Sequence, residues 1–595
     1  MRLLFIIMFL FSVTAFSQGD LVAKEYFKNG EYEKALLEYK KHFAKSPSNI
    51  NYIYQIIVVH QELEQYAEAE AFLLSLMERV KYPGFLVELG YNYQLQNKIE
   101  KAQELYEKAI RTIDEKASNV FSVARSFQNH SLLDEAAISY EKSMALNPDF
   151  NFNIQLAQIY GEQGQIEKMF KSYLDFIDSN PNSLSNIKRA INDFVTEDGY
   201  NESNILFRKM LLKKMQQQPD VLWNELLSWL FVQQKDFKKA FTQEKAIYNR
   251  EQAGLTRVEE LAAICVNENE IQVGKEIYSF IIETAQNPDT KLNAHYRLLQ
   301  LQIEESSKDD FQDIQAKYLN LLDTFGDDAK TLKLQISYGH FLAFYMNETN
   351  KATKFLETVL KEPLTQLEKA QVKLELGDIL LLQEQFNKAL IYYTQIQRNL
   401  KNSTISQQAR FKVAKASYYK GDFKWAESQL KILKSSTSQL IANDALDLKL
   451  LITDNKYEDS LQTALKLYAK ADLLAFQNRN DEAISLLNKI LDEHKTEPII
   501  AQALYKQSQL YEVKRQFDKA VANYEVLIET YREGILIDDA TFKLAQIYEK
   551  QLNQPEKAKL LYEKIIFNHA DSIYFVEARK RFRALRGDTI NSETL

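Results

Sequence analysis

An all-α solenoid of about 14–16 helical hairpins is the fold class this sequence predicts, and three observations predict it. The 595 residues hold only 15 Gly and 9 Pro, few breakers for so long a chain, which favours helices joined by short turns. The stretch 88–110, ELGYNYQLQNKIEKAQELYEKAI, reads as two amphipathic helices around a polar turn. Leu86, Leu89, Gly90 and Tyr93 recur at helical spacing, and Ala102, Tyr106 and Ala109 repeat the stripe after Gln96-Asn97-Lys98. Finally, the pattern recurs. Ala35, Ala69, Ala102, Ala136 and then Met169 mark the starts of second helices at separations of 34, 33, 34 and 33. One such hairpin cannot bury its own apolar face, so copies must stack on either side of it.

Residues 1–17 are of a different kind. Arg2 precedes an apolar run from Leu3 to Val13, and Ala15-Phe16-Ser17 fits the small-x-small rule, which predicts a secretory signal peptide cut between Ser17 and Gln18. An 11-residue run falls short of the roughly 20 residues that span a bilayer. No cysteine follows the cut, so a lipid-modified N-terminal cysteine is not expected, and Cys265, the only cysteine, excludes an intrachain disulfide. Removing Arg2 takes the formal charge from −8 to −9. An acidic exported chain is a poor partner for nucleic acid or an anionic membrane surface, so a soluble periplasmic protein without membrane insertion is expected.

Residues 18–182 form a regular N-terminal array. Its first unit shows Ala23, Tyr26, Gly30, Tyr32, Ala35, Tyr39 and Pro47, and its fifth shows Ala157, Tyr160, Gly164, Ile166, Tyr173 and Pro181. From 183 to 347 the pattern loosens into irregular helical repeats, although 198–212, 235–248 and 270–282 still read as second helices. A boundary is expected near 290–330. Regularity returns over 348–587 with Ala352, Ala389 and Ala426, now 37 apart, and continues with Ala483, Ala520 and Ala558. The step from Ala426 to Ala483 is 57 residues, and a long helix over Glu458 to Gln477 is expected to fill it. Residues 569–587 read as a capping helix that Gly587 ends, and 588–595 as a disordered tail.

The order small, aromatic, small, aromatic, proline resembles tetratricopeptide repeats over nearly the whole mature chain, without the family's tryptophan in the first helix. The resemblance implies a right-handed superhelix whose first helices line a concave groove. The longer, aromatic-rich C-terminal units resemble those of exported outer-membrane assembly and cell-envelope proteins. The composition and A-F-S-Q at the cut resemble periplasmic repeat proteins of the Bacteroidetes.

Chemistry is sparse. No two of the seven histidines lie within 17 residues, there is no HExxH, and no metal or cofactor is expected. There is no G-x-S-x-G elbow and no phosphate-cradling glycine loop, and Cys265 sits where repeats bury a first-helix side chain, so no catalytic residue is assigned. The pairs Lys213-Lys214 and Lys238-Lys239 read as solvated faces. The resemblance places groove residues three before and one after each first-helix small residue: Phe121 and Arg125, Phe411 and Lys415, Tyr505 and Gln509, Phe542 and Gln546. Trp229 falls at a corresponding place in the loose region. The Lys and Asn set of the family's peptide-carboxylate clamp is missing. Two readings of these aromatics stay open: apolar anchors for a partner segment, or core residues whose phase is off by one.

The expectation is a non-catalytic, exported scaffold for proteins or peptides of a Gram-negative cell envelope, in outer-membrane biogenesis, secretion or cell-wall assembly. A chaperone-like binder of unfolded exported chains is the alternative. An enzyme would need a compact insert, for which only 183–347 has room.

Overall fold

The computed structural model describes residues 21–252, 254–433, 439–456 and 462–587. The signal peptide expected at 1–17 and the disordered tail expected at 588–595 lie outside them. Among the described residues the regular structure is helical, with 32 α-helices in tandem and no strand. Two compact units are present, 1–277 and 278–595. The division falls before the 290–330 stretch where the loosening pattern places a boundary.

The sequence markers sit where packing needs them. Ala35, Ala69, Ala102, Ala136, Ala352, Ala389, Ala426, Ala483, Ala520 and Ala558 are all buried, each at the start of a second helix. Small residues there let the paired helix approach, and an aromatic four residues on fills the space beside them, as Tyr39, Tyr106, Tyr140, Tyr393, Tyr524 and Tyr562 do.

Most of the turns share one geometry. The residue two before the second helix takes a left-handed backbone, as at Gly30, Asn97, Ser131, Gly421 and Arg515. In the turn of 88–110, the Lys98 N–H donates to the Tyr93 carbonyl and the Asn97 N–H to that of Gln94. This closing pattern satisfies the carbonyls that a helix end otherwise leaves bare.

In the first unit, the loose region from 183 is helical. The second helices read at 198–212 and 235–248 are Glu202–Gln217 and Phe237–Glu251. Lys214 is not a solvated residue: its Nζ reaches Asp175 at 3.0 Å and Asp178 at 2.9 Å, and lies 5.4 Å from the Trp223 ring centre.

In the second unit, the helix expected over Glu458 to Gln477 is present as Thr463–Phe476, with 458–461 outside the described residues, and it does not fill the 57-residue step alone. A separate helix, Gln439–Asp454, packs on Phe423–Leu433, and Thr463–Phe476 then packs on Thr404–Lys420 as the next first helix. That helix reaches back along the array. Phe476 meets Phe344 edge-on at 5.7 Å, and Lys470 binds Glu384 at 2.7 Å. The terminal helix Phe575–Arg586 ends at Gly587, whose φ of 82° is the left-handed stop expected of it.

Candidate partner-binding clefts on the first helices

In the second unit, four successive first helices line one cleft of about 800 Å³: Pro288–Glu305, Leu332–Phe344, Gln366–Leu382 and Thr404–Lys420. Its polar groups are tied in sequence. Gln300 Nε2 donates to Ser337 Oγ at 2.8 Å, and Ser337 Oγ lies 2.5 Å from the Tyr318 hydroxyl. His340 Nδ1 meets Glu375 Oε1 at 2.8 Å. Asp378 accepts from Lys412 Nζ at 2.6 Å and from the Tyr393 hydroxyl at 2.7 Å. Burial, with the Asp378 carboxylate next, holds the Tyr393 hydroxyl well above its usual pKa, so it stays a donor. The apolar floor includes Ile336 and Leu374.

The first unit has two adjoining clefts that share Tyr54, Gln55 and Asn129. One, of about 380 Å³, is lined by amides, tyrosines and Arg125. The other, of about 630 Å³, lies along Ile50–Glu62 and Gly84–Leu95 and ends at His130. Here His130 Nε2 meets the buried Glu88 Oε2 at 2.8 Å and its ring stacks on Tyr91 at 3.8 Å. Tyr54 shares a 2.5 Å hydrogen bond with Ser126. Burial first, then the Glu88 charge, raises the Tyr54 pKa.

The sequence-derived groove residues scatter. Arg125 is exposed and lines a cleft. Phe121 is 58% exposed and meets Phe150 and Phe152 edge-on at 5.6 and 5.4 Å. Trp229 is half-buried and lines none of these clefts; the fully buried tryptophan of its helix is Trp223. Phe411 and Tyr505 are half-buried against the C-terminal core, Lys415 Nζ lies 5.7 Å from the Tyr419 ring centre, and Gln509 sits beside the Tyr505 hydroxyl. Gln546 is half-buried. Phe542 requires a correction: it is 6% exposed and stacks on Tyr574 at 4.4 Å. The lead-in to the terminal helix folds over it, held by Tyr574 to Asp539 and Ser572 to Asp538, each at 2.7 Å. Phe542 is core.

The residues that line the large cleft were within reach of the same positional rule. Its small residues are Gly339 and Gly377, and the positions three before and one after them are Ile336, His340, Leu374 and Asp378. All four line the cleft. On Thr404–Lys420 the lining residues Gln408 and Lys412 lie one turn ahead of Phe411 and Lys415.

Among the described residues, no three His, Cys, Asp or Glu side chains converge as a metal site. Tetratricopeptide repeat family models match residues 84–113, 151–183, 468–535 and 539–572. Each match falls on hairpins of the structure, so these segments are tetratricopeptide repeats and the array is a helical-repeat scaffold for protein partners. No curated protein matches the chain. Among 271 solved chains that match is one from a structure of Naa15/Naa10 bound to HypK-THB. It is 12% identical, covers 95% of this chain and 88% of its own, and has a TM-score of 0.32.

Proposed function

We propose that the protein is an exported, non-catalytic scaffold of the cell envelope that holds partner proteins in its first-helix clefts. The observation that carries this is the cleft of the second unit, which four consecutive first helices line. Helices pack about 8–10 Å apart, so four of them offer a track of roughly 30 Å. An extended segment of about nine residues covers that length at about 3.3 Å per residue. Fixed donors and acceptors beside apolar floor residues suit such a segment. The helical course of 183–347 leaves little room for a compact catalytic insert and supports the non-catalytic reading. The leader at 1–17 supports export.

The test is a pull-down of residues 18–595 from native envelope extract, with mass spectrometry of what co-purifies. A small stoichiometric set of envelope proteins is expected, and Gln371→Arg with Gln408→Arg, two exposed cleft positions, should abolish its capture. A broad spread of unrelated exported chains would favour a chaperone-like role. Capture unaffected by the paired arginines would remove the cleft from the reading.

A further inference from the structure

The cleft along Ile50–Glu62 and Gly84–Leu95 contains two buried polar atoms without partners among the described residues. Glu88 is fully buried, and while its Oε2 meets His130, its Oε1 has no hydrogen bond. Gln61 is 7% exposed, and its Nε2 donates to nothing. Both side chains line the same cleft. Leaving such atoms unmade costs about 1–3 kcal/mol each, more for a charged group. Their clustering at one wall is therefore informative.

The surroundings choose the sign of the missing partner. Glu62 and Glu64 stand exposed at the rim, and neither has an ion pair among the described residues. His130 is the only basic side chain of the lining, and Glu88 already engages it. Tyr91 and Tyr66 give the walls aromatic faces, and Val58 and Leu95 give apolar surface for an aliphatic stem. A bare cation would satisfy Glu88 Oε1 but not the Gln61 N–H, which needs an acceptor. A residue of an extended chain offers both, a cationic side chain and its own backbone carbonyl.

We propose that this cleft recognises a lysine or arginine residue in an extended segment of a partner protein. The cationic head bonds to Glu88 Oε1, Glu62 and Glu64 draw it in from the rim, and Gln61 Nε2 donates to a backbone carbonyl of the segment. This rests on the partner-binding reading above and names the chemistry of a second cleft, in the first unit.

The probe is a fluorescein-labelled peptide alternating glycine and lysine, with glutamine and glutamate counterparts, titrated by anisotropy into residues 18–595. The lysine peptide should bind at least about tenfold tighter than the glutamine one and the glutamate peptide not at all. Glu88→Gln should weaken the lysine peptide about tenfold or more, as expected for a buried charge contact. Glu62→Gln with Glu64→Gln should weaken it about threefold and flatten its salt dependence. Glu104→Gln with Glu107→Gln, two exposed acids on Ile99–Glu115 outside the cleft, should change nothing. Should Glu88→Gln fail to fold by circular dichroism, the rim pair decides. Equal affinity for the lysine and glutamine peptides, or wild-type affinity in both the inner and rim variants, overturns the proposal. If envelope partners are still captured in that case, the cation site alone falls and the scaffold reading stands.

Discussion

Gly377 and Tyr393 pack so closely that a Cβ on the glycine would lie 2.2 Å from the Tyr393 ring. The ring cannot retreat, because it is fully buried and its hydroxyl is held by Asp378 at 2.7 Å. Alanine in a helix interior normally gains up to about 1 kcal/mol over glycine. Here Gly377→Ala should instead destabilise by about 1–3 kcal/mol through overpacking. Denaturant unfolding followed by circular dichroism reads this directly. A midpoint equal to or above that of the parent would show that the hairpin relaxes at no cost.

Left-handed turn residues carry a second prediction. Ser131 and Arg515 sit at φ of 55° and 56°, a region that costs a non-glycine residue about 1–2 kcal/mol. Glycine loses part of that gain to its looser unfolded chain. Ser131→Gly and Arg515→Gly should each stabilise by about 0.5–1 kcal/mol in the same unfolding measurement. Gly421→Ala, at φ 84°, should do the opposite.

The hairpins were legible in the sequence because each requires a small residue at one fixed place, and every marker alanine is buried there. The turns were less so. Gly and Asn mark many of their left-handed positions, as at Gly30, Asn97 and Asn347, but others are filled by residues such as Glu64, Lys235 and Glu384, which announce nothing by type. The inserted helix Gln439–Asp454 escaped because an amphipathic stripe looks alike in a first, second or extra helix. Of the site, Arg125 followed from the positional rule. Phe542 did not, because its burial depends on Tyr574, a residue 32 positions on that folds back over it. Glu88 and His130 are 42 residues apart, and no local spacing ties them.

The burial of Phe542 separates it from the other two C-terminal aromatics. Phe542→Ser should cost about 3–5 kcal/mol, as large-to-small core changes do, and loosen the terminal helix. Limited proteolysis should then cut near 570–575 in the variant and not in the parent. Phe121→Ser, at a side chain more than half exposed, should shift the melting temperature little. Equal losses for the two would mean that Phe121 is equally part of the core.

Cys265 provides a chemical check on the first unit. It is fully buried on Thr256–Asn267, and burial, with Glu270 next, pushes its thiol pKa up to about 12. The thiolate is the reactive form. At pH 8 a pKa of about 12 leaves roughly one thiol in ten thousand ionised, against about one in ten for a thiol near 9. Iodoacetamide should therefore leave the native chain unlabelled over hours and modify it within minutes in denaturant, as intact mass would show. Raising the pH from 8 to 9 should multiply the slow native rate about tenfold if reaction occurs in the folded state. A native rate matching that of free cysteine would place the thiol at the surface and break the assignment of Thr256–Asn267 as a packed first helix.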